Sequence, residues 1–351
     1  MVLSVSIRKQ YADYSLDIDF ESDHKRIGIL GASGCGKSLT LKSIAGIIRP
    51  EAGRISFGTD VWFDKHKKVN MKPAGRNVGY LFQNYALFPN MTVEENIAAA
   101  LHGTGRDHTA HAGSMDVIVK DLMKRNELLD IKDHRPDELS GGQQQRGALA
   151  RLMARDPGLL LLDEPFSAMD AYLREGMRLE LIRRLDEYDK TVIMVSHDRD
   201  EIYQMCDYLI LMDRGRVIDQ GDTDAIFAHP STDTSARLTG CKNISRIIRL
   251  GEHRIRALDW NDLELVTAGK VTGDITHIGI RAHDFIPGRF GENAIPCGRV
   301  TISRLPFEWY VILENGLWWK QGRALDEVRN KDGMPQYISV SPDKIILLES
   351  R

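Results

Sequence analysis

Gly31-Ala32-Ser33-Gly34-Cys35-Gly36-Lys37-Ser38 decides the fold. The stretch fits G-x-x-x-x-G-K-[ST]. The apolar run Ile27-Gly28-Ile29-Leu30 precedes it and reads as a buried strand. Leu41, Ile44, Ala45 and Ile48 follow it at the helical spacing i, i+3, i+4, i+7. Strand, glycine loop and helix in that order predict a phosphate-binding loop. The residue types suit the chemistry. Glycines let backbone N–H groups turn toward phosphate oxygens with no Cβ in the way. The helix opening near Lys37 adds its positive dipole end. Lys37 supplies a point charge for β and γ phosphates, and the Ser38 hydroxyl is a candidate Mg²⁺ ligand.

The totals set bounds. A chain of 351 residues with 42% apolar residues suggests two domains with ample core. A net charge of −3 gives no electrostatic footprint for nucleic acid or an acidic membrane surface, while a nucleotide pocket needs only local positive charge. Cys35, Cys206, Cys241 and Cys297 form no C-x-x-C pair, which suits a reducing compartment rather than a disulfide framework. At a helix N-terminus Cys35 is a candidate for a lowered thiol pKa and oxidation, weighed against simple occupancy of a tolerant loop position. No stretch approaches the ~18 apolar residues that span a bilayer, and no signal peptide opens the sequence. Work at a membrane would therefore go through a partner.

Other stretches point to the same chemistry. Residues 3–7 and 16–20 alternate as strands. Between them Tyr11 is the first candidate to stack on a nucleotide base, with Tyr14 in reserve. Residues 78–82 read as a buried strand ending at Gln83, whose neutral amide can meet Mg²⁺ or orient water. Residues 90–101 read as a helix with Thr92 and Glu95 as a capping box. His108 and His111 sit in a polar run without companion ligands and read as solvated.

Leu139-Ser140-Gly141-Gly142-Gln143 is a second anion-suited helix tip, with Ser140 as cap of a helix beginning near Gln143. One explanation for two cradles in one chain is that this tip closes over the nucleotide of a neighbouring copy. Leu159-Leu160-Leu161-Leu162 predicts a strand buried on both faces. Asp163 and Glu164 at its end are costly unless they serve an ion or a proton. Asp163 suits a Mg²⁺ role through water. Glu164, turned away from Asp163 by strand alternation, suits the base that polarises an attacking water. A further buried strand, residues 191–195, ends at Ser196-His197-Asp198, which puts His197 on the same strand-end edge within reach of a γ phosphate.

These stretches together resemble the ATP-binding cassette (ABC) proteins. Residues 31–38 match the Walker A motif, 159–164 the Walker B motif and 139–143 the LSGGQ signature. Gln83 matches the Q-loop, residues 167–170 the D-loop and His197 the H-loop, all in family order over about residues 1–229. Met169 stands where the family more often has leucine, an apolar swap of little consequence. The resemblance implies an α/β P-loop NTPase fold, ATP and Mg²⁺ as cofactors, and a head-to-tail dimer with a second copy. In that dimer Gly31, Ala32, Ser33, Gly34, Cys35, Gly36, Lys37 and Ser38 of one copy face Ser140, Gly141, Gly142 and Gln143 of the other. Lys37, Glu164 and His197 would be catalytic, Ser38, Gln83 and Asp163 would serve the metal, and Tyr11 would stack on adenine. Tyr85-Ala86-Leu87-Phe88-Pro89 would dock on an integral membrane permease at the cytoplasmic face of the membrane, served indirectly by an extracytoplasmic solute-binding protein. The order of domains is similar to importers, most of all those for molybdate and sulfate; ferric iron, polyamine and sugar importers share most features. Cassette ATPases acting on nucleic acid usually carry two fused cassettes or a long coiled coil, and this chain has one cassette and no heptad run.

The division expected is residues 1–235 for the cassette and 236–351 for a small all-β, OB-like regulatory barrel. Trp260, Trp309, Trp318 and Trp319 fall in the second part among short alternating runs. Cross-strand core pairing is the expected role of these rings, ahead of an effector pocket or stacking of single-stranded nucleic acid. A transported oxyanion is the ligand class expected there if the domain senses anything, although no residue set identifies it.

Overall fold

A computed structural model describes residues 1–101, 112–167, 169, 171–322 and 334–350. These divide into two compact units, Met1–Thr223 and Asp224–Arg351. His108 and His111, and Ala168 and Asp170 of the expected D-loop, lie outside the described residues.

The strands of the first unit are β1 (Leu3–Gln10), β2 (Ser15–Ser22), β3 (Arg26–Gly31), β4 (Ala52–Phe57), β5 (Asp60–Asp64), β6 (Val69–Asn70), β7 (Val78–Leu81), β8 (Leu159–Asp163), β9 (Thr191–Ser196), β10 (Tyr208–Asp213) and β11 (Arg216–Asp222). Among the described residues they form one sheet in the order β6-β5-β4-β1-β2-β11-β10-β3-β9-β8-β7. Strands β10, β3, β9, β8 and β7 run parallel side by side. Their carboxyl ends therefore share one edge, where ligands of such sheets bind. Every residue of β8 and β9 is buried, as continuous apolar runs demand.

Helix α1 (Lys37–Ile44) follows the glycine loop. The apolar spacing predicts a longer helix, through Ile48, but Gly46 at φ +79 ends it. The Ile47 N–H reaches the Lys42 carbonyl at 2.9 Å and the Gly46 N–H reaches Ser43 at 3.1 Å, a Schellman cap. Arg76, 2% exposed, closes the same helix end, donating from Nη1 to the carbonyls of Ser43 at 2.9 Å and Ile44 at 2.6 Å.

Helices α2 (Val93–Ala99), α3 (Ala112–Arg125) and α4 (Gly141–Ala154) have a core of their own, with Val93, Ile97, Val119, Met123, Leu128 and Ala150 at its centre. Thr92 and Glu95 make both arms of the expected capping box. Helices α5 (Ala171–Glu187) and α6 (Arg199–Met205) complete the unit. No helix among the described residues is long and apolar enough to cross a membrane.

The second unit is all-β apart from short helical turns. Among its described residues are one five-stranded and two three-stranded sheets, a main core that includes Trp260 and Trp319, and a smaller cluster of Ala236, Cys241 and Leu348. The strands expected of one barrel are thus shared among three sheets. Trp318 and Tyr310 meet edge-on at 5.7 Å beneath Lys242, so they pair across strands as expected. The polar run Pro230-Ser231-Thr232-Asp233-Thr234-Ser235 leads into a helix, Asp233–Leu238. Thr232 caps it by accepting the Ser235 N–H.

Candidate active site

The phosphate loop leaves β3 at Gly31, where a Cβ would fall 2.3 Å from the Met212 carbonyl oxygen. Gly36, at φ +105, begins α1, and a Cβ there would fall 2.1 Å from the Tyr14 hydroxyl. Space and dihedral both require glycine at Gly36. Ala32, Ser33 and Gly34 form the exposed rim, and Cys35, Gly36 and Lys37 are buried beneath it. Lys37 Nζ donates to the carbonyls of Gly31 at 2.8 Å and Ala32 at 3.1 Å.

Two distant parts of the chain brace the loop. The Cys35 carbonyl accepts the Tyr14 hydroxyl at 2.6 Å and the Gly215 N–H at 3.1 Å. Burial pushes the Tyr14 phenol up to about 12. Tyr14 is thus committed to the loop. Tyr11, whose ring centroid lies 6.1 Å away, carries Lys9 over its face at 5.3 Å. The Cys35 thiol is pushed up by burial, which outweighs the opposing pull of Lys37. The lowering expected from the helix N-terminus is therefore not what this position experiences.

Across the strand ends, Ser38 Oγ donates to Asp163 Oδ1 at 2.7 Å. The Tyr80 hydroxyl donates to Asp163 Oδ2, also at 2.7 Å, and burial pushes its phenol far up. Tyr80 is absent from the sequence candidates. The signal was there: a tyrosine inside a buried strand needs an acceptor for its hydroxyl.

Glu164 departs from strand alternation. Its backbone sits in the left-handed region at φ +46, and its N–H donates to Val195 at 3.1 Å. Such backbones cost about 1–3 kcal/mol and gather at active sites. The two carboxylates meet different partners, Glu164 reaching His197 while Asp163 holds Ser38 and Tyr80. His197 Nδ1 lies 3.2 Å from Glu164 Oε2.

Gln83 is exposed, two residues beyond the end of β7. After it Tyr85 and Ala86 are both left-handed, at φ +59 and +47. Arg151 of α4 holds this double kink, donating to Ala86 at 2.8 Å and Tyr85 at 3.3 Å while lying 5.1 Å from the Phe88 ring centroid. The Tyr85 hydroxyl and Gln145 both donate to the Pro165 carbonyl, next to Glu164.

Helix α4 begins at Gly141, two residues earlier than expected, because Ser140 and Gln143 cap each other. The Gln143 N–H donates to Ser140 Oγ at 3.3 Å, and the Ser140 N–H donates to Gln143 Oε1 at 2.8 Å. Among the described residues no hydrogen bond joins residues 140–143 to the phosphate loop of the same chain. The fold thus gathers Lys37, Ser38, Asp163, Glu164, His197 and Gln83 at one sheet edge and leaves the second helix tip on its own.

Residues 15–167 match the family described as ABC transporter. Over 340 residues the chain is 33% identical to the spermidine/putrescine import ATP-binding protein of Clostridioides difficile (strain 630), covering 94% of each chain. The chain belongs to the ABC transporter family. It is an ATP-binding cassette ATPase. It is also 37% identical over 236 residues to the sulfate/thiosulfate import ATP-binding protein of Pseudomonas aeruginosa, covering 67% of this chain and 69% of that one. Its match to the putrescine transport ATP-binding protein of Escherichia coli (strain K12), 40% over 217 residues, covers 62% of this chain and 55% of that relative. A solved dimeric ATP-binding cassette in a post-hydrolysis state, bound to ADP and Pi, covers 64% of this chain and 99% of its own at 26% identity and a TM-score of 0.54.

In the second unit a cavity of about 240 Å³ has Trp260 and Cys297 in its lining, with Glu314 as the one charged residue. A transported oxyanion, the ligand class expected if the domain senses anything, would meet no cationic side chain in this cavity.

Proposed function

We propose that this ABC ATPase is the energy-supplying subunit of an importer. It would work as a head-to-tail pair of copies on the cytoplasmic face of the membrane, against integral permease subunits fed by an extracytoplasmic binding protein. The observation that supports this reading most is the pairing of a complete hydrolytic edge with a capped, glycine-rich helix tip that bonds to no phosphate loop of its own chain. Ser140, Gly141, Gly142 and Gln143 would close over the nucleotide held by the twin's residues 31–38.

Within each site the roles follow from position. Backbone N–H groups of residues 31–36 and the Lys37 ammonium would bind the phosphates. Tyr11 would stack on adenine. Glu164 would take the proton of the attacking water, with His197 fixing the carboxylate and reaching the γ phosphate. Mg²⁺ would neutralise charge building on the phosphates. Ser38 Oγ and Asp163 Oδ1, hard oxygen donors 2.7 Å apart, fit that ion. Gln83 would join them from the next strand end. Among the described residues no three His, Cys, Asp or Glu side chains could hold a metal together, which suits an ion that takes its other ligands from nucleotide and water.

The double kink after Gln83 would carry the work to the permease. Arg151→Ala is expected to release it, since each hydrogen bond from a charged group contributes about 1.5–3 kcal/mol. Faster amide exchange over residues 85–88 would appear first. Solute uptake would then fall further than basal ATPase.

For the solute, an inorganic oxyanion, sulfate before molybdate, is the primary reading, because sulfate/thiosulfate import names recur among the relatives. A polyamine is the second reading, favoured by the relative matched over 94% of its length. Labelled sulfate and labelled putrescine uptake in cells lacking this gene distinguishes them. Loss of sulfate uptake, restored by the gene, is expected. Loss of putrescine uptake alone selects the second reading, and loss of neither removes sulfate and putrescine as the solute.

A further inference from the structure

Glu201 is a buried carboxyl that the site described above does not use. It lies on α6 and is 4% exposed. Ser196 Oγ, at the end of β9, donates to Glu201 Oε2 at 2.5 Å. The same Ser196 oxygen accepts the Asp198 N–H at 2.9 Å. Asp198 in turn caps α6 by accepting the Asp200 N–H at 2.8 Å, and its carboxylate lies 4.0 Å from Arg174 of α5. The residues on both sides of His197 are therefore bonded in place, while the histidine side chain itself is 52% exposed and directed at Glu164.

Helix α6 is a firm anchor. At Gly28 of β3 a Cβ would fall 2.8 Å from Ile202 Cγ2 and 3.0 Å from Cys206 Cβ, so the helix is seated directly on the strand that leads into the phosphate loop. Burial pushes the Glu201 carboxyl up. Ser196 opposes this, Asp198 adds to it, and Arg174 and His197 oppose it. A buried carboxyl is costly to keep, and an apolar residue would serve packing alone.

We propose that Glu201 is a positioning residue for hydrolysis: through Ser196 it fixes the turn that holds His197 against Glu164. The inference rests on the roles given above to Glu164 and His197. Because misplacing a reacting group by about 1 Å can cost as much as 10²-fold, Glu201→Ala and Ser196→Ala are each expected to lower kcat by about tenfold or more. The nucleotide is held by other residues, so binding of a fluorescent ATP analogue should stay within about twofold in both variants. Glu201→Gln keeps an acceptor for the Ser196 hydroxyl and is expected to retain kcat within about threefold.

Full-chain ATPase kinetics, analogue binding and melting temperature test this together. Wild-type kcat in Glu201→Ala overturns the proposal. So does a parallel loss of kcat, nucleotide affinity and melting temperature in both alanine variants with no recovery in Glu201→Gln, which marks a purely structural staple. Should Glu201→Ala fail to fold, the smaller change Ser196→Ala decides by the same kcat and affinity readouts. An inactive Glu164→Gln beside a fully active Glu201→Ala sinks this inference alone, whereas an active Glu164→Gln sinks the reading beneath it.

Discussion

Glu164→Gln is expected to bind ATP with affinity close to wild type and to lose turnover by about 10²–10⁴, the usual share of a positioned general base. Glutamine matches the glutamate in shape, so the left-handed backbone at φ +46 and the His197 contact at 3.2 Å both have a replacement group in place. An amide cannot accept the proton of an attacking water. Phosphate binding, proposed above for Lys37 and the loop glycines, would be left intact. If two copies close over two nucleotides, blocking turnover also blocks reopening. Sedimentation of this variant with ATP should then show a stable dimer that the wild type forms only transiently. Normal ATP hydrolysis by Glu164→Gln would remove Glu164 from the base role.

Arg76→Ala is expected to lower stability by about 3 kcal/mol or more. Arg76 Nη1 serves the carbonyls of Ser43 and Ile44, and Nε donates to Met71 at 3.0 Å. Each buried acceptor left without a donor costs about 1–3 kcal/mol. The guanidinium also places positive charge at the C-terminal end of α1, where the helix dipole favours it. Burial draws its pKa down to about 10. A unit of this size loses roughly 2–4 °C of melting temperature per kcal/mol, so a drop of about 6 °C or more is the readout. Arg76→Lys keeps the charge but not the planar fork and should fall between. An unchanged melting temperature for Arg76→Ala would show that water replaces the guanidinium at no cost.

Most of the parallel half of the sheet was legible, because four leucines or a Val-Ile-Met-Val run cannot be half-exposed. The phosphate loop, the Thr92 box and the Ser140 cap were legible for a related reason: each is a local pattern whose partners lie within a few residues. What the sequence concealed is long-range. Tyr80 meets Asp163 across 83 positions and Arg76 meets Ile44 across 32. Neither pairing leaves a spacing to read. The end of α1 was misjudged because apolar periodicity continued to Ile48 past a glycine whose dihedral stops the helix. Strand alternation does not reach Glu164, since β8 ends at Asp163 and the next backbone is left-handed. Strand β5, with Trp62 and Phe63 buried, lay hidden in a stretch of mixed polarity.

The Cys35 carbonyl takes one hydrogen bond from the β1–β2 turn and another from the β10–β11 turn. A loop clamped in this way meets its ligand in the shape it will keep, so little conformational entropy remains to be lost on association. In the proposed two-copy arrangement, more of the free energy of ATP binding would then be left over for bringing two polypeptides together than a floppy loop would leave. Loosening the clamp, by Tyr14→Phe for example, would weaken nucleotide-driven assembly without touching any group that contacts a phosphate.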